Sequence, residues 1–287
     1  MSNNELSNFV RESMHKDELR FTKSLGQNFL IDQSVLFDII EYSELTKEDN
    51  VLEIGAGIGV LTRELAKVSN NVVAVEIDKH IIETLQKNVS GFENVNIINK
   101  DILKMDFGAI SHDYFNGENF KIVANLPYYI TTPIIMGLLE SKCCNQSMVF
   151  MVQKEVAQRM IAVKGKAYGA LSVAVQYYGE PSIKRIVSSS CFVPHPKVDS
   201  AVIKIDIYNG CPINIISSDI FFKVVRAAFN QRRKTIVNSL LGSPLIKGDK
   251  NLIIDVLGKA KIPTNARPES LSLVNFADIS NALCNFN

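Results

Sequence analysis

The sequence has few of the features that mark membrane, secreted or metal-binding proteins. No segment approaches the roughly 18 consecutive apolar residues that a membrane helix needs, and the amino terminus has no apolar secretory core. The five cysteines show no paired metal-ligand spacing, and the four histidines are scattered along the chain. These absences predict a cytoplasmic protein with reduced thiols, no resident metal and no membrane partner.

Neither sign of charge predominates over the whole chain, because the 287 residues carry a net charge of only +1. The distribution is uneven. Residues 1–188 hold 19 Lys+Arg against 23 Asp+Glu, whereas residues 189–287 hold 12 against 7. The positive excess of the second part is expected of a surface that contacts phosphates, although a solvated face would show it as well. The densest basic run is Arg232-Arg233-Lys234, which Arg226 precedes.

Apolar segments of strand length alternate with amphipathic helical segments over the first two thirds of the chain. This alternation predicts an α/β domain with a mostly parallel sheet. The predicted strands cover residues 50–54, 72–77, 95–99, 120–124, 148–152, 183–187 and 200–207. The predicted helices include residues 59–68, 79–89, 132–141, 154–162 and 169–178.

The strand signals stop after the turn-forming segment 209–212, and only helical patterns follow. These patterns cover residues 218–241, 250–259 and 268–284. The change predicts a boundary between an α/β domain, residues 1–208, and a small all-helical domain, residues 209–287. Residues 1 to about 18 are polar and charged, so we expect them to be loosely ordered.

Three alternate glycines follow the first predicted strand. The segment reads Glu53-Ile54-Gly55-Ala56-Gly57-Ile58-Gly59 and leads into a helix. Glycines at such a turn let the backbone approach a nucleotide closely. The second strand ends at Glu76, 21 positions past Gly55, where a carboxylate can accept both hydroxyls of a ribose. A nicotinamide cofactor would fit these features, but Glu53 favours S-adenosylmethionine, whose amino-acid end needs polar partners.

A further strand runs into Asn125-Leu126-Pro127-Tyr128, which suits the amino group of a nucleobase. The Asn125 side-chain carbonyl and the Leu126 backbone carbonyl can each accept a hydrogen bond from an exocyclic NH2 group. Proline makes the peptide rigid, and the Tyr128 ring can stack on the base. Taken alone, the tetrapeptide is equally compatible with an ordinary turn. The preceding glycine turn and ribose acid favour the site.

The sequence resembles the ribosomal RNA adenine N6-dimethyltransferases through nearly its whole length. The matching blocks are Lys23–Leu30, Glu53–Gly59, Val75–Asp78, Asp101–Leu103, Asn125–Tyr129, Gln153–Met160, Tyr168–Ser172, Phe192–Ser200 and Phe229–Thr235. The last three blocks are most similar to the branch that dimethylates two adjacent adenines near the 3′ end of small-subunit (16S) ribosomal RNA. The macrolide-resistance branch, which acts on large-subunit RNA, is the alternative.

The resemblance implies a Rossmann-like class I S-adenosylmethionine-dependent methyltransferase domain and a helical RNA-contacting domain. It also implies a role in ribosome biogenesis, with small-subunit RNA or a pre-assembled subunit as the partner of a monomer. The cofactor-binding residues that it implies are Asn28, Leu30, Gly55, Glu76, Asp101 and Asn125. Two of them have simpler explanations. Asp101 could cap the helical turn that follows it, and Asn28 could belong to a plain turn.

We expect direct in-line methyl transfer with Asn125, Leu126 and Tyr128 as the catalytic residues. Two acceptors on the adenine amino group would stabilise the developing charge on nitrogen, and Tyr128 would hold the base. The expected RNA contacts are Phe192, Arg226, Arg232, Arg233 and Lys234. Phe192 would cover the opposite face of the target base, or it could equally anchor its own loop in the core.

Two other classes of protein share parts of this pattern. A nicotinamide-dependent oxidoreductase would explain the glycine turn but not Asn125-Leu126-Pro127-Tyr128. A non-catalytic ribosome-assembly factor would need the basic tail but not an intact site. Because the candidate site residues are all present, an active methyltransferase is the prediction.

Overall fold

A computed structural model describes residues 3–16, 27–144, 146–231 and 233–285. The chain forms two compact units that are interleaved in sequence. Unit 1 comprises Met1–Ala157 and Glu180–Ile207, and unit 2 comprises Gln158–Gly179 and Tyr208–Asn287. The chain passes between the units three times, and the predicted boundary after residue 208 lies beside the third passage, after Ile207. The division into independent domains stays a prediction.

Within the described residues, unit 1 is built on a seven-stranded sheet, together with a separate pair of two-residue strands. The strands are β1 (Phe29–Leu30), β2 (Asn50–Ile54), β3 (Asn71–Glu76), β4 (Val95–Asn99), β5 (Phe120–Asn125), β6 (Ser147–Gln153), β7 (Gly179–Val187), β8 (Phe192–Val193) and β9 (Ser200–Ile207). The large sheet has the order β4-β3-β2-β5-β6-β9-β7, and β1 pairs with β8. The seven predicted strands are thus all present.

The large sheet is parallel from β4 to β6, and β9 joins β6 in the antiparallel direction. Residues of β2 and β6 are almost all buried, which explains why these strands appear in the sequence as continuous apolar runs. Helices flank the sheet. They are α1 (Asn3–Lys16), α2 (Gln33–Ser43), α3 (Val60–Val68), α4 (Ile82–Val89), α5 (Ile110–Phe115) and α6 (Thr131–Ser141). A further helix, α7 (Lys154–Ile161), begins in unit 1 and continues into unit 2.

Helix α1 contradicts, for residues 3–16, the expectation that residues 1 to about 18 are loosely ordered, and the other residues of that range lie outside the described ones. Leu6 and Val10, four positions apart, share one helical face and are buried. The Arg63 guanidinium of α3 lies 4.6 Å from the centre of the Phe9 ring, a cation–π contact. The apolar stripe is narrow, so the polar composition of the segment concealed it.

Unit 2 is helical, and its core is aromatic. The helices are α8 (Ala170–Tyr178), α9 (Ser218–Asn230), α10 (Ile236–Leu241), α11 (Lys250–Lys259) and α12 (Leu273–Cys284). Tyr177 of α8 stacks on Phe221 of α9 with ring centres 5.2 Å apart, and Tyr168 meets Phe229 edge-on at 5.7 Å. These contacts explain why residues 158–179 join the carboxyl-terminal helices.

Two of the helical predictions for this unit need correction. The predicted helix 218–241 is two helices, because the chain turns after Asn230 and α10 begins only at Ile236. The predicted helix 268–284 starts as a short 3-10 turn, and α12 begins after Ser272, whose hydroxyl accepts a hydrogen bond from the Asn275 N–H. Helix 250–259 is as predicted. Among the helices described here, none is long and apolar enough to cross a membrane.

Candidate active site

The glycine turn after β2 has a backbone that only glycine adopts easily. Gly55, Gly57 and Gly59 have φ angles of +76°, +59° and +89°, in the left-handed region that disfavours other residues. Space is limited as well, because a Cβ atom on Gly57 would lie 3.1 Å from Cε1 of Phe29. The turn therefore leaves room for a ligand beside its backbone.

The first glycine lies against the segment that follows β5. A Cβ atom on Gly55 would lie 3.4 Å from Cδ of Pro127 and 3.5 Å from the backbone oxygen of Asn125. The cause is the sheet order, since β2 and β5 are parallel neighbours and their carboxyl ends meet at one edge. The two predicted motifs thus form one site.

Glu76 ends β3 beside the glycine turn. Its carboxylate accepts hydrogen bonds from the backbone N–H of Gly57 at 2.9 Å and of Asp78 at 2.8 Å. Burial raises the pKa of the Glu76 carboxyl above its ordinary value, an effect that these two N–H donors oppose. The backbone therefore fixes the orientation of the predicted ribose acceptor.

The amino-terminal segment that contains β1 is tied to both sides of the site. The Asn125 Nδ2 atom donates to the Asn28 carbonyl at 3.3 Å. The Gln27 Nε2 atom donates to Asp78 Oδ2 at 2.8 Å. Pairing with β8 places Leu30 opposite Phe192. This arrangement holds Asn28 and Leu30 at the edge of the site.

These elements line an open cavity with about 830 Å³ of empty space, part of which is open solvent. The predicted site residues that line it are Asn28, Leu30, Gly55, Glu76, Asn125, Leu126 and Tyr128. A second cavity of about 300 Å³ adjoins it, since Gly55 and Glu76 line both, and Asp101 lies there. The structure therefore brings together every residue that was predicted to bind the cofactor.

Asp101 fulfils its simpler explanation and still faces a cavity. Its Oδ1 atom accepts from the Leu103 N–H at 3.1 Å and caps the 3-10 turn at Ile102–Lys104. The side chain is 26% exposed, so part of the carboxylate remains accessible to a ligand. The cap fixes the side chain without excluding a binding role.

Glu53, the residue that favours S-adenosylmethionine over a nicotinamide cofactor in the sequence, is buried at this site. It lies on β2, is only 1% exposed and lines the larger cavity. Among the described residues, nothing hydrogen-bonds its Oε2 atom. Burial raises the pKa of Glu53 to about 8, and the neighbouring charge of Glu76 adds to this effect. A buried carboxyl oxygen without a partner is costly, so a ligand group that supplied one would bind favourably.

Comparisons with known proteins agree with this geometry. The family model described as ribosomal RNA adenine dimethylase matches residues 18–278. A relative from Alkaliphilus oremlandii, named ribosomal RNA small subunit methyltransferase A, is 45% identical over 275 residues, which cover 96% of each chain. A relative of the same name from Clostridioides difficile is 45% identical over 277 residues, with 96% of this chain and 95% of that one covered.

The chain belongs to the ribosomal RNA adenine dimethylase family. The predicted resemblance is thereby confirmed. Among solved structures, a dimethyladenosine transferase from Plasmodium falciparum has a TM-score of 0.72 at 26% identity, covering 88% of this chain and 95% of that chain. The 23S rRNA methyltransferase ErmE has a TM-score of 0.68 at 26% identity, with 90% and 100% covered. Both likenesses confirm the predicted fold class.

One predicted substrate contact of this dimethylase-family protein is contradicted by the structure. Phe192 is 0% exposed and belongs to the core cluster that also contains Leu30 and Val35. Its ring therefore has no free face for a nucleobase. The aromatic side chain anchors the loop in the core, which was the alternative explanation, and through β8 it supports β1.

The predicted basic contacts belong to unit 2, where Arg226 lies on α9 and where Arg233 and Lys234 lie on the turn between α9 and α10. Arg226, Arg233 and Lys234 are exposed, whereas Arg232 lies outside the described residues. The turn closes with a hydrogen bond from the Lys234 N–H to the Gln231 carbonyl at 3.0 Å. Phe229 and Ile236 on either side pack into the unit, so the turn displays its basic side chains to solvent.

Sequence reasoning missed several residues that line the larger cavity. They include Gln27, Phe29 and Tyr129, which adjoin predicted residues in the chain. Tyr129 is 49% exposed although aromatic, and the pair Tyr128-Tyr129 was the available signal. Ser200 lies at the end of a recognised block, but its contact with Tyr128 depends on the sheet order and has no sequence signal. No group of three possible metal ligands occurs in the part of the chain that the structure describes.

Proposed function

We propose that this chain transfers methyl groups from S-adenosylmethionine to N6 of two adjacent adenines in a loop near the 3′ end of small-subunit (16S) ribosomal RNA. The products would be N6,N6-dimethyladenines, made during biogenesis of the small subunit. The observation that carries the proposal is the approach of the Gly55 turn to Asn125 and Pro127 at one cavity. The name of relatives that are 45% identical supports the choice of subunit.

The residues present fit S-adenosylmethionine. The unpartnered Oε2 atom of Glu53 suits the α-ammonium group at the amino-acid end of this ligand. The Glu76 carboxylate would accept the ribose hydroxyls, and Asp101 would accept from the adenine amino group. Asn28 and Leu30 would cover the ligand from the amino-terminal segment. When bound, S-adenosylmethionine supplies an electrophilic methyl group on its sulfonium.

Two acceptors would prepare the target amino group. The Asn125 Nδ2 atom donates to Asn28 at 3.3 Å, so the Oδ1 atom of the same amide is the one to accept from the adenine N6. The Leu126 N–H donates to the Met151 carbonyl at 3.0 Å, which anchors the residue whose own carbonyl is the second acceptor. Both acceptors would stabilise the positive charge that develops on N6 as the methyl transfers.

The reaction needs no dedicated protein base. The alkylated amino group is acidic enough to lose one proton to water, and the electron pair then returns to the adenine ring. A second methylation repeats the step with one N6 hydrogen left for an acceptor. Tyr128 lines the same cavity, where its ring would stack on the base and keep N6 in line.

Unit 2 is the proposed RNA-contacting part. It holds 13 Lys+Arg against 5 Asp+Glu, a balance of +8, whereas unit 1 holds 18 against 25, a balance of −7. Exposed Arg226, Arg233 and Lys234 belong to this excess. Phosphate contacts of this kind give affinity without sequence specificity. A loop adenine would then reach the site without the few kcal/mol that unstacking from a duplex costs.

In this proposal the protein acts as a monomer in the cytoplasm, and its substrate is ribosomal RNA or a pre-assembled small subunit. Methylation of large-subunit RNA is the second candidate, which the likeness to the 23S rRNA methyltransferase ErmE favours. Incubation with methyl-labelled S-adenosylmethionine and either substrate, followed by nucleoside analysis, separates the two. We expect labelled dimethyladenosine from the small subunit and none from large-subunit RNA. Label that appears only in large-subunit RNA would select the second candidate.

Asn125→Ala tests the mechanism. Loss of the acceptor should lower turnover by about 100-fold or more, because the stabilised charge exists only in the transition state. Binding of RNA, measured by filter retention, should stay within about 2-fold, and cofactor binding should be measured alongside.

Asn119→Ala is the matched control, since Asn119 is an exposed asparagine that precedes the same strand. Its turnover should equal that of the wild type. An Asn125→Ala variant that retains turnover would refute the acceptor mechanism, while the nucleoside analysis tests the choice of substrate independently.

A further inference from the structure

A hydrogen bond joins the predicted stacking residue to a buried serine on another strand. The Tyr128 hydroxyl lies 2.5 Å from Oγ of Ser200. Ser200 is 0% exposed and begins β9, 72 positions further along the chain. The bond lies at the tip of the Tyr128 ring, on the opposite side from its attachment to the backbone.

Ser200 has a rigid attachment. In the antiparallel pairing of β9 with β6 it lies opposite Gln153. The residues just beyond this pair are also tied, because the Lys154 N–H donates to the Asp199 carbonyl at 3.0 Å. Strand β6 pairs on its other side with β5, which delivers Asn125 opposite Met151. The serine hydroxyl and the methyl-acceptor site are thus fixed to one sheet.

The bond has a mechanical consequence for the tyrosine ring. Rotation about χ1 within a staggered well swings the tip of an aromatic side chain, so packing alone leaves the direction of the ring loosely fixed. A hydrogen bond at the hydroxyl fixes the far end of the ring, and the backbone turn fixes the near end. Thr131 Oγ1 also donates to the Pro127 carbonyl at 2.9 Å, which stabilises that turn.

A chemical role for the phenol is a poorer explanation. Burial raises the pKa of the Tyr128 phenol above its ordinary value of 10.0, so the group is neutral at physiological pH and is a weak base. The hydroxyl is also engaged with Ser200. Stacking by itself would need only a phenylalanine ring, so the hydroxyl requires a separate explanation.

We infer that Ser200 is a positioning residue for methyl transfer, which holds the Tyr128 ring in the position from which it stacks on the target adenine. The inference rests on the proposed function and adds to it a residue that never touches the substrate. It predicts that Ser200 and the Tyr128 hydroxyl act on turnover as one unit, because the hydrogen bond that positions the ring needs both groups.

The test is a double-mutant cycle on kcat with small-subunit RNA as the substrate. Ser200→Ala and Tyr128→Phe should each lower kcat by about 3- to 10-fold, the equivalent of one ordinary hydrogen bond. The double variant should show the same loss as either single variant rather than their product. The Kd for S-adenosylmethionine should not change, and Ser200→Thr, which keeps a hydroxyl, should restore most of kcat.

Ser43→Ala is the matched control, because Ser43 is also a fully buried serine of unit 1 and donates to the Ile39 carbonyl at 2.5 Å. It should lower the melting temperature as much as Ser200→Ala does without lowering kcat. Multiplicative losses in the double variant, or a Ser200→Ala variant with wild-type kcat, would overturn the positioning role. A wild-type protein that methylates no RNA would instead overturn the proposed function.

Discussion

Glu53 shows at the scale of one residue how a binding site costs stability. The carboxyl is buried on β2, and its Oε2 atom has no partner among the described residues. A group of this kind would be replaced by an apolar residue if packing alone mattered. Its position immediately before the glycine turn is where the sequence led us to expect polar partners for a cofactor. The structure adds the energetic consequence, which is measurable without any ligand.

Glu53→Gln should change how stability depends on pH. The native pKa of Glu53 is about 8 against an ordinary value of 4.5, so between these values the native state binds a proton that the unfolded state has released. The wild-type free energy of unfolding should therefore fall as pH rises from about 4.5 to 8, by about 1.4 kcal/mol for each unit of pKa shift. Glutamine does not titrate, so the variant should lack this fall.

Urea denaturation of the cofactor-free protein at pH 5, 6, 7 and 8 measures the difference. The stability of Glu53→Gln relative to the wild type should rise steadily with pH. Glu83→Gln, on an exposed position of α4, should run parallel to the wild type. A Glu53→Gln curve parallel to both would mean that the buried carboxyl is already ionised in the native state.

The pairing of β1 with β8 matters most at the scale of elements. Two residues on each side suffice to place Asn28 beside Asn125. No periodic pattern can reveal strands of this length, and neither was predicted, whereas the longer buried strands such as β2 and β9 were. Because Phe192 was assigned without knowledge of this pairing, an aromatic ring on a proline-flanked loop suggested a substrate contact. The pairing shows that it supports the segment over the cavity.

Phe192→Leu distinguishes the two roles. A core anchor needs apolar volume, so leucine should cost about 1–2 kcal/mol of stability and leave kcat/KM within about 3-fold. A residue that stacks on the base would lose about 1–3 kcal/mol of binding to the transition state, or roughly 5-fold or more in kcat/KM. Tyr128→Leu, which removes the proposed stacking ring, supplies the comparison. A Phe192→Leu variant as impaired as Tyr128→Leu would restore the stacking role.

At the scale of the whole molecule, the sequence predicted the elements better than their grouping. Strand positions follow from local apolar runs, which explains why the strand predictions were correct. The association of residues 158–179 with the carboxyl-terminal helices depends on contacts such as Tyr177 with Phe221, 44 positions apart in the sequence. Local periodicity contains no information about such contacts. The antiparallel insertion of β9 between β6 and β7 was unpredictable for the same reason.

When the residues are grouped by compact unit, the positive net charge of the candidate RNA-contacting region rises from +5 for residues 189–287 to +8 for unit 2. Arg233→Ala combined with Lys234→Ala should weaken RNA binding. It should also lower the magnitude of the slope of log K against log[salt] by about 1–2, because binding releases about one counterion fewer for each phosphate contact that is lost. Lys47→Ala with Lys142→Ala removes the same charge from exposed positions of unit 1 and should leave the slope unchanged. Equal effects of both pairs would mean that net charge, and not this basic turn, attracts the RNA.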